Sequence, residues 1–573
     1  MEDNMKVVIV GGVAGGATAA ARIRRLDEQA EIIVFERSGY VSYANCGLPY
    51  YIGDVITDQE ELTLQTPGSF FLRFRVTMKV RHEVIALHPE EKTVSVKNLE
   101  TGEVFEESYD KLLLSPGAKP TQPRIPGTGI GKLFTLRTVE DTFRIKEYIR
   151  RNHPRSAVLS GGGFIGLELA ENLKNLGMEV TIVQRPKQLM NPFDPDMASF
   201  IHGAMRRHGV RLALGQTVEG FEEKEGGVDV LLKEGEPLHA DMVVLAIGVT
   251  PDTQLAKDAG LELGIKGSII VNDRMETSVP DIYAVGDAVQ VKHFVTGQEA
   301  LISLAGPANK QGRIAADNIC GGDSRYQGAL GSSVIQVFDM TAAATGINEK
   351  TAVKAGLKVD KVILSPMSHA GYYPGGKVMT MKVVFEKESG RLLGAQIVGY
   401  DGVDKRIDVL ATAIHAGMKA ADLKELDLAY APPYSSAKDP VNMAGFMIDN
   451  ISRGILKQFH TEDVGSLPRD GSVILLDVRT EGEYGRGHAE GFVNIPVDEL
   501  RERVGELEKG KRVYVMCQSG LRSYIGARIL AGYGYDVYNF SGGYRFYDGV
   551  MNDRYLIESA TACGMDGNSA NPK

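Results

Sequence analysis

Cysteine is scarce in this sequence. Four occur among 573 residues, Cys46, Cys320, Cys517 and Cys563, and no C-x-x-C pair is present. So few unpaired thiols exclude a disulfide framework, fit a reducing compartment, and leave each sulfur available for chemistry. No Cys/His spacing resembles a ligand set, so no metal is expected. A basic surplus is also missing. The net charge of −10 and the pI near 5.7 argue against a nucleic-acid partner. No apolar run reaches the length of a membrane span, so no membrane partner is expected. The opening "MEDNMKVVIVGG" lacks the basic start and cleavage site of a signal peptide. A cytoplasmic location follows as the expectation.

What is present is a large globular α/β chain, with 43% hydrophobic and 24% charged residues. Its length suggests roughly three to four domains. Two segments share one pattern, "KVVIVGGVAGGATAAARIRRL" from Lys6 and "SAVLSGGGFIGLELAENLKNLG" from Ser156. Each is a β-branched run, a glycine turn and an apolar-periodic helix, followed by a further strand ("EIIVFER", "EVTIVQR"). That is the strand–turn–helix–strand unit of a dinucleotide-binding fold, present twice. "YDKLLLSPGAKP" closes the first copy with Ser115, Pro116 and Gly117, and "DMVVLAIGVTP", with Gly248, closes the second.

The second turn, Gly161-Gly162-Gly163-Phe164-Ile165-Gly166, satisfies G-x-G-x-x-G. Its glycines serve the tight turn, the approach of a pyrophosphate and the packing of helix on strand. The first turn departs from the pattern. Gly11 and Gly16 hold the outer places, Val13 takes the middle one, and Gly12, Ala14 and Gly15 fill the rest. Glu36, followed by Arg37, ends the next strand where a ribose hydroxyl needs an acceptor. Gln184-Arg185 stands at the matching place of the second copy. Glutamine does not repel a 2′-phosphate as a carboxylate would, and Arg185 could pair with one, so NADH and NADPH both remain open.

"VSYANCGLPYY" puts Cys46 just after the first unit. Two nucleotide sites and a nearby thiol suggest a relay of electrons from nicotinamide through a second cofactor to sulfur. Residues 328–450 then change to alternating strands and a helix. "SRGILKQFHTEDVGSLPRDG" reads as a linker. Beyond it, short strands alternating with helical segments read as a small separate α/β domain. The tail "TACGMDGNSANPK" reads as disordered.

The ordered set "GGVAGG", "SYANCGLPY", "LLLSPGA", "GGGFIGLE", "IYAVGDA", "YYPGG" and "YAPPYSSAKD" resembles the single-cysteine branch of the flavoprotein pyridine nucleotide-disulfide oxidoreductases. The likeness is greatest to coenzyme A-disulfide reductases. Through "LLDVR" and "CQSGLRS" the last segment is similar to a rhodanese domain, so the whole resembles the coenzyme A-disulfide reductase–rhodanese fusions, NADH-dependent persulfide reductases included. The resemblance implies an FAD-binding domain in two parts (1–115 and 251–327), an NAD(P)H-binding domain (116–250), an α+β dimerisation domain (328–455), a rhodanese-like domain (461–553) and a disordered tail (554–573). It implies a homodimer. FAD is placed on the first fold and on Asp287 and Ala305. NAD(P)H is placed on Gly161–Gly166, with Phe164 near the nicotinamide and Glu168 close by.

Cys46 is then the thiolate that forms a mixed disulfide with coenzyme A, so the second sulfur belongs to the ligand. Tyr372 and Tyr430 match tyrosines that dimer partners supply to the active site in this family. Thr18, Arg22, Arg25, Ser42, Asn45, Asn309 and Lys438 match positions lining the coenzyme A site. At Arg22 the best-known bacterial coenzyme A-disulfide reductase has glutamine. Cys517 opens a six-residue loop, Cys517-Gln518-Ser519-Gly520-Leu521-Arg522, sized for sulfur transfer. Its N–H groups, the helix dipole and Arg522 would hold a thiolate or persulfide anion. Cys320 and Cys563 carry no motif. The implied activity is NAD(P)H-dependent reduction of coenzyme A persulfide, polysulfide or coenzyme A disulfide. The competing activity is an NAD(P)H oxidase or peroxidase working through a sulfenic acid, whose members carry histidine where this chain has Ala14.

Overall fold

The computed structural model describes residues 4–559. They divide into two compact units, one of residues 4–186 with 210–331, the other of residues 187–209 with 332–559.

The first unit holds two parallel sheets. In the first, the strands run in the order Ile282–Ala284, Lys111–Leu114, Lys6–Val10, Glu31–Glu36, Thr77–Val80. The β-branched runs fit because both faces of a parallel sheet are covered and near-continuous apolar strands are buried. Val7, Val8 and Ile9 are fully buried. The second sheet repeats the scheme with Arg211–Leu214, Glu179–Gln184, Ser156–Ser160, Met242–Leu245 and Leu133–Thr135. The chain passes between the two sheets along a short antiparallel pair, Ala118–Pro120 with Val249–Pro251.

The second unit is built on a five-stranded antiparallel sheet ordered Ser333–Val337, Met340–Gly346, Leu392–Gly399, Thr380–Glu386, Val359–Leu364. Leu392–Gly399 is buried along its whole length, with the helices Val403–His415 and Pro195–Arg207 packed on it. A parallel sheet follows, ordered Lys457–Phe459, Val537–Phe540, Arg512–Met516, Val473–Asp477, Val493–Asn494. Among the described residues no helix is long and apolar enough to cross a membrane.

Three expectations change here. Residues 187–209 fall inside the stretch read as one NAD(P)H-binding domain, yet they cluster with the second unit. The reason is electrostatic as well as apolar. Lys382, 1% exposed, is held by Asp194 at 3.1 Å, Asp196 at 2.8 Å and Glu349 at 2.9 Å, so the start of the Pro195–Arg207 helix is anchored to the antiparallel sheet. The polar stretch read as a linker contains the edge strand Lys457–Phe459, paired with Tyr538–Phe540. Its single apolar side chain, Phe459, is buried, and one inward residue on a short edge strand leaves no alternation to read. The last helix, Gly543–Glu558, runs past residue 554, where the tail was expected to begin. Its Asp553 bonds the buried His202 at 2.9 Å and Arg206 at 2.5 Å, which holds that end in place. The remainder of the tail, with Cys563, lies outside the described residues.

Candidate active site

The two glycine turns are built alike. Gly11 and Gly161 have φ of 96° and 118°, and a Cβ on either would strike the carbonyl of the neighbouring closing strand, Ser115 or Ala246. Gly16 and Gly166 lie against the carbonyls of Gly11 and Gly161, so each helix starts tight on its strand. The N–H of Gly12 donates to Glu36 Oε2 at 2.9 Å, and that of Gly162 to Gln184 Oε1 at 3.0 Å. One side chain at the end of the second strand thus fixes each turn. Ser38 N–H donates to the other Glu36 oxygen at 2.8 Å, and each oxygen keeps a second lone pair for a ribose hydroxyl.

This donor set fits nucleotides. The Ala14–Leu26 and Phe164–Asn175 helices aim their N-termini into the turns, and a Cβ on Gly163 would meet nothing within 4 Å, leaving room for a pyrophosphate. Val13 is the residue immediately before the first of these helices. Phe164 and Ile165 open the second and are half-buried, whereas Arg185 and Gly248 are exposed. Pro116 and Gly117 are half-buried at the end of the first closing strand. Arg37 pairs with Asp252 at 2.8 Å. Asp287 is engaged by Arg137 at 2.7 Å, a partner 150 residues away that spacing does not reveal. Ala305 begins the Ala305–Ile319 helix and is exposed.

Cys46 sits in the short 3₁₀ turn Asn45–Gly47, which runs directly into the Leu48–Ile52 helix. The turn is held by pairing of 42–44 with 62–64. Ala44 N–H donates to Leu62 O at 2.7 Å and Leu64 N–H to Ser42 O at 3.1 Å. Ser42 has φ of 46°, a left-handed conformation that turns the chain toward the cysteine. The Leu48–Ile52 helix packs on Phe164–Asn175, bringing Glu168 into the field of Cys46. Surrounding protein raises the Cys46 thiol above its ordinary value. Glu168 and Asp287 add to the rise, while Arg137 opposes it. Glu168 is itself lifted to about 7, first by burial and then by Glu171, against a hydrogen bond from Tyr50. A carboxyl that changes charge near neutrality therefore stands beside an exposed thiol.

The residues matched to a coenzyme A site divide. Thr18 donates to Asn309 Oδ1 at 2.8 Å, joining the Ala14–Leu26 and Ala305–Ile319 helices. Arg25 and Lys438 are exposed cations. Arg22 has a carboxylate partner of its own. Its Nε donates to Asp317 at 2.7 Å, and Asp317 also accepts from Ser324 at 2.8 Å. That carboxylate comes from the Ala305–Ile319 helix. In the other unit, Tyr372 and Tyr430 are exposed and share a hydrogen bond of 2.5 Å.

Cys517 is fully buried at the end of Arg512–Met516, and the N–H of Gly520 donates to its Sγ at 3.1 Å. The loop is held from behind. Tyr544 N–H donates to Cys517 O at 2.7 Å and Arg545 N–H to Gln518 O at 3.2 Å. A Cβ on Gly543 would lie 2.6 Å from the Gln518 carbonyl, so only glycine allows that approach. The Cys517 and Gln518 carbonyls are thus taken from behind, while Gly520, whose N–H meets the sulfur, caps the N-terminus of the Leu521–Gly532 helix. Arg522, expected to serve the sulfur anion directly, is gripped by Glu483 through two bonds of 2.6 Å. Glu483 falls to about 2 under that guanidinium, and Arg522 rises in return. Glu483, Asp477 and Arg479 went unassigned in the sequence. Asp477 and Arg479 lie inside "LLDVR", but Glu483 is separated from its partner by too many residues for spacing to reveal the pair.

Comparison with known proteins follows the same division. Residues 5–312 match the pyridine nucleotide-disulphide oxidoreductase family, 332–440 its dimerisation domain, and 460–548 the rhodanese-like domain. The chain is 38% identical over 442 residues to a coenzyme A disulfide reductase of Staphylococcus aureus, covering 77% of this chain and 99% of that protein. A solved structure described as reduced Bacillus anthracis CoADR-RHD superposes with a TM-score of 0.94 at 49% identity, over 96% of this chain and 99% of that one. An NAD-dependent persulfide reductase from A. fulgidus gives 0.88 at 38%, over 95% and 100%. A water-forming NADH oxidase from Lactobacillus brevis gives 0.76 at 29%, over 79% and 100%.

Proposed function

Because this chain belongs to the pyridine nucleotide-disulphide oxidoreductases, which use FAD and NAD(P)H, we propose that it reduces coenzyme A persulfide, polysulfide and coenzyme A disulfide through Cys46, with Cys517 handling sulfane sulfur. The observation that carries the reading is one chain holding an exposed cysteine beside two nucleotide turns and a buried cysteine in a backbone cradle. A simple disulfide reductase gains nothing from the second sulfur site. The names of two relatives, a coenzyme A disulfide reductase and a persulfide reductase, support the same substrate class.

FAD, when bound, takes two electrons from the nicotinamide and passes them to sulfur. The Gly11–Gly16 turn with Glu36 would hold it, and the Gly161–Gly166 turn with Gln184 would hold the nicotinamide nucleotide. Cys46 as thiolate attacks the inner sulfur of coenzyme A persulfide. The S–S bond breaks, HS⁻ leaves, and a mixed disulfide of Cys46 with coenzyme A forms. Two electrons from NAD(P)H then split it into two thiolates, and coenzyme A leaves after protonation. Tyr372 and Tyr430, contributed across a homodimer, are the proton donors for that departure. Arg25 and Lys438 take the coenzyme's phosphates, while Arg22 positions the helix that carries Arg25. Such free thiols suit the reducing cytoplasm.

An oxidase reading has one observation in its favour, the likeness to the Lactobacillus brevis NADH oxidase. Anaerobic oxidation of NADH and NADPH, with coenzyme A persulfide, polysulfide and coenzyme A disulfide as competing acceptors, separates the two. Turnover with the sulfur acceptors that disappears in Cys46→Ser supports the reductase. No turnover until oxygen is admitted transfers the case to the oxidase.

A further inference from the structure

Tyr372 and Tyr430 belong to neither helix nor strand, and they are 76% and 45% exposed. Such side chains are ordinarily mobile, because few contacts oppose the entropy of a free loop. Yet the two phenol oxygens stand 2.5 Å apart. The tie between their loops lies beneath the surface, at Arg406 on the Val403–His415 helix, 1% exposed. Its Nη2 donates to the Ser368 carbonyl at 2.9 Å, in the loop that carries Tyr372. The same nitrogen donates to the Tyr434 carbonyl at 3.3 Å and to Ser435 Oγ at 3.1 Å, in the loop that carries Tyr430. Nη1 donates to the Gly402 carbonyl at 3.1 Å, at the start of its own helix. The charge is met by Asp439, also buried, at 3.2 Å from Nε and 3.0 Å from Nη2. Ser435 Oγ donates to that carboxylate at 2.6 Å, and the Ala370 N–H donates to the Ser435 carbonyl at 3.0 Å. An apolar filling would serve stability as well, whereas a guanidinium fork reaches both loops and its own helix at once.

We propose that Arg406, with Asp439 and Ser435, is a positioning residue that holds the Tyr372 and Tyr430 loops in register and so presents the two phenols together to the departing thiolate. This rests on the reading of the tyrosines as proton donors. A phenol delivers its proton only within hydrogen-bond reach of the sulfur, and a displacement of about 1 Å costs roughly a hundredfold in rate. Lysine at 406 would keep the charge beside Asp439. Its single nitrogen cannot reproduce a planar fork that meets Asp439 and both loops, so the phenols would lose their common register while the charge balance stayed intact.

The test uses the holoenzyme under anaerobic conditions, with NADH and coenzyme A persulfide. Arg406→Lys should lower kcat about tenfold or more, while KM for the persulfide changes less than about threefold and NADH bleaches the flavin as before. Ser435→Ala leaves the Arg406–Asp439 pair in place and should lower kcat about threefold; it carries the test if Arg406→Lys does not fold. Each substitution is then placed in the Tyr372→Phe/Tyr430→Phe background. A residue that acts through the phenols has nothing left to act on there, so turnover should fall less than about twofold further. A purely structural role would multiply the losses, and that result overturns the proposal. So does a native kcat in both Arg406→Lys and Ser435→Ala. If Tyr372→Phe/Tyr430→Phe itself turns over at the native rate, the reading of the tyrosines as proton donors fails too. A slow phenylalanine enzyme beside unimpaired Arg406 and Ser435 variants sinks the positioning role alone.

Discussion

Glu168→Gln is expected to stabilise the protein in alkaline solution and to leave it unchanged in acid. Glu168 titrates at about 7 in the folded chain, against 4.5 for the free side chain. Folding therefore takes up a proton between those values, and above them the folded state carries a carboxylate that burial and Glu171 disfavour. A shift of this size is worth about 3 kcal/mol, an upper limit because the side chain keeps some contact with water. The penalty is absent below about pH 4.5, grows through the interval, and is complete above about pH 7. Glutamine can still accept the Tyr50 hydrogen bond and carries no charge at any pH. Thermal unfolding of the two proteins should coincide near pH 4.5 and separate by about 5 °C at pH 8, with the variant higher. A second readout uses the neighbouring thiol. The ionised Glu168 contributes to the raised Cys46 thiol, so the alkylation midpoint of Cys46 should fall in the variant. A stability difference independent of pH, or a less stable variant at pH 8, would refute the account of Glu168 as a buried, reluctantly ionised group.

Other changes probe the remaining elements. Lys382→Met takes the Lys382 cation from Asp194 and Asp196 and leaves Glu349 with Lys361, and should cost about 3–5 kcal/mol in denaturant unfolding; a loss under about 1 kcal/mol would show that the network is dispensable. Gln184→Glu keeps the hydrogen bond to the Gly162 N–H and adds a negative charge where a 2′-phosphate would lie, so kcat/KM for NADPH should drop at least about tenfold relative to NADH. An equal loss for both nucleotides would remove Gln184 from selection. Tyr430→Phe deletes one member of the 2.5 Å phenol pair and should slow sulfur-acceptor turnover about a hundredfold while NADH still bleaches the flavin. Unchanged turnover would return that pair to packing.

The parts of this molecule that were legible beforehand are those written in local patterns. Lys6–Val10 and Ser156–Ser160, the glycine turns and their helices follow from spacing over a few residues, and so does the Cys517 loop. Partners distant in sequence were not legible. Arg22 and Arg522 read as cations available to a ligand, because nothing near them in the chain announces Asp317 or Glu483. The same applies to Lys382, which reads as an ordinary strand lysine until its three carboxylates arrive from two other helices. Apolar periodicity records what is buried, whereas the pairing of charges depends on topology.

The Lys457–Phe459 strand has a practical meaning for anyone who would cut this protein at its apparent seam. The rhodanese-like match begins at residue 460, just after that strand. A fragment started there would expose the backbone of Val537–Phe540 along one side, a hydrophobic edge open to pairing with other chains. It would also lose Gln458, whose amide donates at 2.8 Å to the Lys361 carbonyl of the antiparallel sheet. The severed module would be prone to aggregate, and a weak sulfur transfer measured on it would reflect the cut and not the enzyme. A fragment meant to keep the Lys457–Phe459 pairing would start several residues upstream, within the turn that follows the Pro440–Ser452 helix.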